Sequence, residues 1–295
     1  MLTRRRFLTI VAAAAAIRPA RAATPPREWR GRALGAEARI VLLGADGIAA
    51  RRLFRRIEGE LARIERHFSL YAASSLTRLN RTGRLAFPAP DVLALFDLAG
   101  KVHAATDGAF DPTVQPLWRA LAEGRDPAPA RGLIGWRNVQ VAPEEIRLAR
   151  PGMALTFNGI AQGFATDRVA ELVRAAGFGN VLIDIGEIAG LGRRGDGAPW
   201  AAAIALADGT EVARTGLSNV ALAVSSSGGT RIGPGGHLGH IIDARGSPAR
   251  WRLAAVTAPS AALADGLSTA FCLMDREAIA AALKQFPGAR LAALV

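Results

Sequence analysis

The 295-residue chain holds one cysteine, one tyrosine and two lysines, and only 6% of it is aromatic. A lone Cys272 excludes an internal disulfide framework and any zinc site built on paired cysteines. Neither Lys101 nor Lys284 lies in a GxxxxGK[ST] loop, which excludes an ordinary P-loop nucleotidase. The apolar run from Leu8 to Ile17 is too short to cross a bilayer as a stable helix. What the chain does have is arginine, which carries almost all of a formal charge of +12, and 50% apolar residues. That content excludes a disordered or collagen-like chain and suffices for one large domain or two intimately packed ones.

Part of the charge belongs to the first residues. Thr3-Arg4-Arg5-Arg6-Phe7-Leu8 precedes the apolar run, and Ala20-Arg21-Ala22 offers a small-x-small cleavage site. This order predicts a cleaved export signal over 1–22, of the twin-arginine type, rather than an arginine-rich disordered start. The mature unit is then 23–295, periplasmic, and with no cysteine after the signal to carry a lipid anchor. Cleavage removes five arginines and no acid, so +7 of the formal +12 remains. The remaining basic residues are scattered. Arg51-Arg52 and Arg55-Arg56 alternate with Leu53, Phe54 and Ile57, the pattern of an amphipathic helix with a solvated face rather than of a nucleic-acid footprint.

Hydrophobic periodicity predicts a strand over 32–43, helices over 46–66 and 91–105, and a surface loop over 124–135. Short strands follow at 137–141, 146–149 and 153–157, then a helix over 159–176 closed by Gly177. Further strands are expected at 180–185, 200–206, 220–226, 239–243, 252–257 and 289–294, with helices over 260–273 and 275–285. Helices mixed with many short strands, without strict βαβ alternation, favour an α+β fold.

Several motifs are misleading. Gly190-Leu191-Gly192-Arg193-Arg194-Gly195 matches GxGxxG, but Asp196-Gly197-Ala198-Pro199 stands where a phosphate-binding helix must begin, so a hairpin loop is expected. His237 and His240 flank glycine in a loop, which does not suit a dedicated transition-metal site. Ser225-Ser226-Ser227-Gly228-Gly229 lacks the leading glycine of a nucleophile elbow.

Three segments carry more chemistry. Asp107 to Thr113 is a turn with two carboxylates, in which Asp111 either accepts from a ligand or caps a helix exit. Asn158-Gly159-Ile160-Ala161-Gln162-Gly163 leads into a helix whose N-terminal amides suit phosphate, or else is an asparagine cap with small residues at a tight packing point. Asp265 and Thr269 lie four apart in an apolar helix and share one face. Two hard oxygen donors there suit Mg²⁺, whereas Thr269 bonding back to a helix carbonyl is the alternative. An aspartate among Leu263, Leu267, Ala270 and Phe271 needs a partner, which favours a metal or ligand.

Taken in order, these segments resemble the ApbE family of FAD:protein FMN transferases. Phe68-Ser69-Leu70-Tyr71 with Ser74 to Asn80 is similar to the family's "MSxY…SxLxRLN", and Asp107 to Leu117 to "DGAFDPTVGPL". Asn158 to Asp167 is similar to "GGIAKGYAVD", His240-Ile241-Ile242-Asp243 to "HIIDP", and Ala264 to Thr269 to "ADALST". The resemblance implies an ApbE-like, T-fold-related, two-lobed single catalytic unit. It implies Mg²⁺-dependent transfer of FMN from FAD to a threonine hydroxyl of a partner protein, with release of AMP. Carried onto this chain, Asp265, Thr269, the Gly159 carbonyl and neighbouring Ser268 become the metal site. Tyr71, Ala109, Phe110, Asp111, Thr156, Gln162 and His240 line the FAD pocket, with His240 and Asp111 as acid/base candidates. Leu34 stands where the family has the methionine of "MGT", which weakens that flavin contact.

Four further departures stand out. Gln162 replaces the lysine of "AKG", Thr156 an aspartate, Asp184-Ile185-Gly186-Glu187 has one glycine for "GG", and Ala244 follows Asp243 where proline is usual. "NGIAQG" with "DIGEI" is similar to flavinyltransferases of nitrous-oxide-reductase clusters, whose target is a membrane-bound electron-transfer flavoprotein. Two rival expectations use the same pocket: a non-catalytic FAD carrier, and an FAD pyrophosphatase in which water replaces the threonine.

Overall fold

The computed structural model describes residues 25–244 and 246–295, so the expected export signal lies outside the described residues. The chain opens with strands β1 (Arg27–Ala33) and β2 (Ala36–Leu42), then the long helix α1 (Gly47–Phe68), α2 (Ser75–Thr82), β3 (Arg84–Ala86) and α3 (Pro90–Ala105). Next come α4 (Gln115–Ala122), the single turn α5 (Ala128–Arg131), β4 (Val139–Val141), β5 (Glu145–Leu148) and α6 (Ala161–Ala175). The second half is richer in strand: β6 (Val181–Asp184), β7 (Ile188–Leu191), β8 (Trp200–Ala205), β9 (Glu211–Leu217), β10 (Val220–Ser226), β11 (Arg231–Ile232) and β12 (Leu238–Gly239). It closes with β13 (Leu253–Ala258), α7 (Ala261–Phe271), α8 (Arg276–Leu283) and β14 (Arg290–Leu294).

A seven-stranded sheet in the order β1-β2-β6-β7-β10-β13-β14 organises this α+β fold, and every neighbouring pair in it is antiparallel. Its central strands β6, β7 and β13 are buried on both faces, and the alternation of side chains divides the sheet between two cores. Ile40, Leu42, Val181, Ile183, Ala223, Ala254 and Val256 face the helices α1, α6 and α7. Leu182, Leu222, Leu253 and Ala255 face the opposite way, against Trp200, Ala202, Ile204 and Leu217 of the β8–β9 hairpin. Continuous apolar runs are what such two-sided burial requires, and they leave no period-2 signature from which to read the edges.

The expected strand over 32–43 is instead the β1–β2 hairpin. Leu34 (φ 49°) and Gly35 (φ 78°) form its two-residue turn, with the positive φ at both positions that suits the twist of paired strands. The Leu34 amide donates to Glu65 Oε1 at 2.6 Å, tying the turn to α1. No strand forms over 153–157. There the Asn80 carboxamide takes the partner's place, donating to the Leu155 carbonyl at 2.9 Å and accepting from its amide at 2.8 Å. The expected strand over 239–243 shrinks to β12 and a single bridge between Ile242 and Pro248. The loop over 124–135 carries α5. The GxGxxG segment is a loop but not a hairpin: β7 pairs with β6 and β10, while β8 pairs with β9, so 192–199 links two sheets.

Cys272, at the end of α7, is fully buried, and burial pushes its thiol up to about 12. Only the thiolate is an effective nucleophile. The native protein is therefore expected to resist iodoacetamide at pH 8 and to take up one equivalent in denaturant. Fast native labelling, read by mass, would contradict the packing of α7.

Candidate functional site

Two helices build the site by exchanging carboxylates. The N-terminus of α6 has no local side-chain cap, since Ile160 precedes it. Its Gly163 amide donates instead to Asp265 Oδ2 of α7 at 3.1 Å. In return, Asp167 of α6 caps α7. It accepts from the amides of Ala261 (2.7 Å) and Ala262 (3.0 Å) and from the Ser260 hydroxyl (2.6 Å). Burial holds the Asp167 carboxyl above its ordinary value, and these three hydrogen bonds offset only part of that rise. Replacing Asp167 with Asn turns an amide NH₂ towards donors. Leaving such buried groups unsatisfied costs about 1–3 kcal/mol. Thermal unfolding of Asp167→Asn is expected to fall accordingly, and an unchanged midpoint would contradict the clasp.

The clasp brings α7 across the glycine-rich turn before α6. A Cβ on Gly159 would lie 2.8 Å from Thr269 Oγ1, so only glycine permits this approach. The Thr269 hydroxyl stands 3.5 Å from the Gly159 carbonyl, and Asp265, only 4% exposed, sits one helical turn earlier. Together they form one wall of a cleft of about 260 Å³. A carboxylate, a hydroxyl and a carbonyl are the hard oxygen donors that suit a small divalent cation. Among the described residues no three or more His, Cys, Asp or Glu side chains are placed to hold a metal ion together.

Tyr71, Ala109, Phe110, Asp111, Thr156, Gln162 and His240 line the same cleft, drawn from six separate stretches of chain together with Asp265. Tyr71 is 80% exposed on the loop between α1 and α2, where Ser69 Oγ accepts from the amides of Tyr71 and Ala72 and shapes the turn. Asp111 Oδ1 accepts from the Thr113 amide (2.8 Å) and hydroxyl (2.6 Å), and so stiffens the turn that presents Ala109 and Phe110. The Gln162 amide packs on Gly186, where a Cβ would come within 2.7 Å of Nε2. His240 Nδ1 lies 3.2 Å from the Thr230 carbonyl. A carbonyl only accepts, so Nδ1 carries the proton and Nε2 of the neutral ring is the acceptor nitrogen.

Two sequence-derived residues lie elsewhere. Leu34 is held in the hairpin turn and is not part of the wall; Ala36, two residues on, is. Ser268 is fully buried behind the wall, its hydroxyl 2.7 Å from Ser225 Oγ and 3.0 Å from the Asp265 carbonyl. Conversely, Ser225, Trp118 and Glu187 line the cleft without having been singled out for it. The Ser225–Ser227 run is visible as a motif, but its pattern suggests only a failed nucleophile elbow. Trp118 gave no signal beyond helical packing, and its indole N–H donates to the His240 carbonyl at 3.1 Å.

The sequence model of the ApbE family matches residues 34–294, which span every part of this cleft. The chain belongs to the ApbE family. Curated ApbE-type relatives named FAD:protein FMN transferase include that of Haemophilus influenzae, 29% identical over 279 residues, covering 84% of this chain and 80% of the relative. The one from Klebsiella pneumoniae is 27% identical over 286 residues, covering 88% and 81%. Among solved structures, the flavin transferase ApbE from Vibrio cholerae superposes with a TM-score of 0.77 at 25% identity, covering 90% of this chain and 94% of that one. The fold is thus the ApbE fold over nearly its whole length.

Proposed function

We propose that this chain is an FAD:protein FMN transferase. It moves FMN from FAD to a threonine hydroxyl of an exported or membrane-bound redox partner, with Mg²⁺ in the cleft and AMP as the leaving product. The observation that carries this reading is that Gly159, Asp265, Thr269 and His240 line one cleft, with the Thr269 hydroxyl beside the Gly159 carbonyl. The fit to Mg²⁺ rests on the all-oxygen donor set and on the cradle that a Cβ at Gly159 would fill. When bound, the ion neutralises charge on the FAD diphosphate and makes the flavin-side phosphorus a better electrophile.

The protein's own residues position, hold and take up a proton. The exposed Tyr71 ring offers an aromatic face to the isoalloxazine, and the Ala109–Asp111 turn and Gln162 border the dinucleotide. His240, with Nδ1 committed to Thr230, takes the acceptor threonine's proton at Nε2. As the threonine oxygen bonds to the flavin-side phosphorus, the bond from that phosphorus to the bridging oxygen breaks. AMP leaves with the bridging oxygen, and FMN stays on the threonine as a phosphoester. Asp111 acts by shaping its turn, since Oδ1 already accepts twice from Thr113. The partner we favour, from the "NGIAQG" and "DIGEI" segments, is a membrane-bound electron-transfer flavoprotein of nitrous oxide reduction. The twin-arginine-like start supports a periplasmic location.

Purified protein, FAD and Mg²⁺ incubated with such an acceptor should give a fluorescent acceptor band heavier by one FMN phosphoester, with one AMP per label. AMP without label would instead mean an FAD pyrophosphatase. Bound FAD with neither product would mean a carrier.

A further inference from the structure

The buried hydroxyls behind the cleft form a chain with a direction. Ser268 Oγ lies 3.0 Å from the Asp265 carbonyl, which only accepts, so the Ser268 proton is committed there. Ser225 Oγ, 2.7 Å from Ser268 Oγ, must then donate to it. With its one proton spent, Ser225 meets Thr269 Oγ1 at 3.3 Å as an acceptor. The Thr269 proton thus has two acceptors, Ser225 Oγ and, at 3.5 Å, the Gly159 carbonyl. A cation held between Gly159 and Thr269 claims the carbonyl and repels that proton, leaving Ser225 to receive it.

We infer that Ser225 is a positioning residue for the cation site: it accepts the Thr269 proton, so that the Thr269 lone pairs turn into the cleft. The inference rests on the reading of Gly159, Asp265 and Thr269 as cation ligands and extends it to a residue of β10. Ser225 need not touch the ion. The relay Thr269 to Ser225 to Ser268 ends on the backbone carbonyl of Asp265, so one hydrogen-bonded line links the two residues of α7 whose side chains supply donors. Asp265 supplies charge, and the relay supplies direction.

The test is Mg²⁺ titration by calorimetry of the full-length mature protein, as wild type, Ser225→Ala, Ser225→Thr and Asp265→Asn, with thermal unfolding in EDTA alongside. Losing one hydrogen-bond acceptor is expected to weaken Mg²⁺ binding about three- to tenfold in Ser225→Ala. Ser225→Thr keeps the hydroxyl and should bind within about twofold of wild type, on the same reasoning. The unfolding midpoint in EDTA should not track these differences. Wild-type Mg²⁺ affinity in Ser225→Ala, with binding lost in Asp265→Asn, would overturn the relay and leave the cation site standing. Equal losses in the Ala and Thr variants would also overturn it, because packing and not the hydroxyl would then matter. Wild-type affinity in Asp265→Asn would remove the cation site itself.

Discussion

Asp265→Asn is expected to abolish FMN transfer while leaving a folded protein. The substitution keeps the shape of the side chain and an oxygen to accept from the Gly163 amide, the 3.1 Å bond that caps α6. It removes the negative charge from a group that is only 4% exposed and lies in the wall of the cleft. A neutral amide is a far weaker ligand for Mg²⁺ than a carboxylate, and a bound metal contributes several kcal/mol to stabilising charge on a reacting phosphoryl group. About 4 kcal/mol corresponds to roughly a thousandfold in rate. The assay is the rate of acceptor labelling at saturating FAD across a Mg²⁺ series, together with circular dichroism to confirm the fold. Labelling within a few-fold of wild type at low Mg²⁺ would show that Asp265 serves only as a helix cap.

The second large effect is on stability. A Cβ on Gly163 would lie 2.3 Å from the Ala261 carbonyl oxygen and 2.6 Å from the Ala262 Cα. Both are backbone atoms at the start of α7, so no rotamer change relieves the overlap. Gly163→Ala must separate the two helices, and overpacking of this kind costs about 1–3 kcal/mol or more. It should also pull Asp265 from the Gly163 amide and disturb the Asp167 cap, because both bonds depend on the same crossing. The expectation is a marked fall in the unfolding midpoint together with weaker Mg²⁺ binding. A control is Gly59→Ala on the exposed part of α1, where a Cβ meets nothing within 4 Å. Replacing a helical glycine there should stabilise by up to about 1 kcal/mol. If both variants unfold like wild type, the close crossing of α6 and α7 is not how the site is held.

The sequence made α1, α3, α6 and α7 legible through the apolar stripe of α1, the apolar content of the others and recognisable ends: Asp46 before α1, Pro90 at the start of α3, Gly177 after α6 and Ser260 before α7. It also placed Asp265 and Thr269 on one face, since that follows from helical geometry alone. What could not be read was anything set by contacts distant in the chain. Asn80 replaces a strand partner for Leu155 across 75 residues, and Asp265 replaces a local cap for α6 across 102. Asn158 has the side chain of a helix cap, yet α6 begins only at Ala161, with Ile160 in the cap position and no side-chain cap bond. The hairpin turn at Leu34 was hidden because leucine is an unusual residue at φ 49°. Ser268 was grouped with the cleft because it adjoins Thr269, but neighbouring helical residues point about 100° apart, and that rotation sends it into the core.

The proposed transfer depends on a divalent cation gripped between α7 and the turn before α6, against the diphosphate of FAD. The most direct measurement is a crystal structure with FAD and Mn²⁺, with data collected at the manganese edge. An anomalous peak in direct contact with the Gly159 carbonyl, the Asp265 carboxylate, Thr269 Oγ1 and a diphosphate oxygen is the predicted result. A peak elsewhere, or FAD bound in the cleft with no metal beside Asp265, would contradict it.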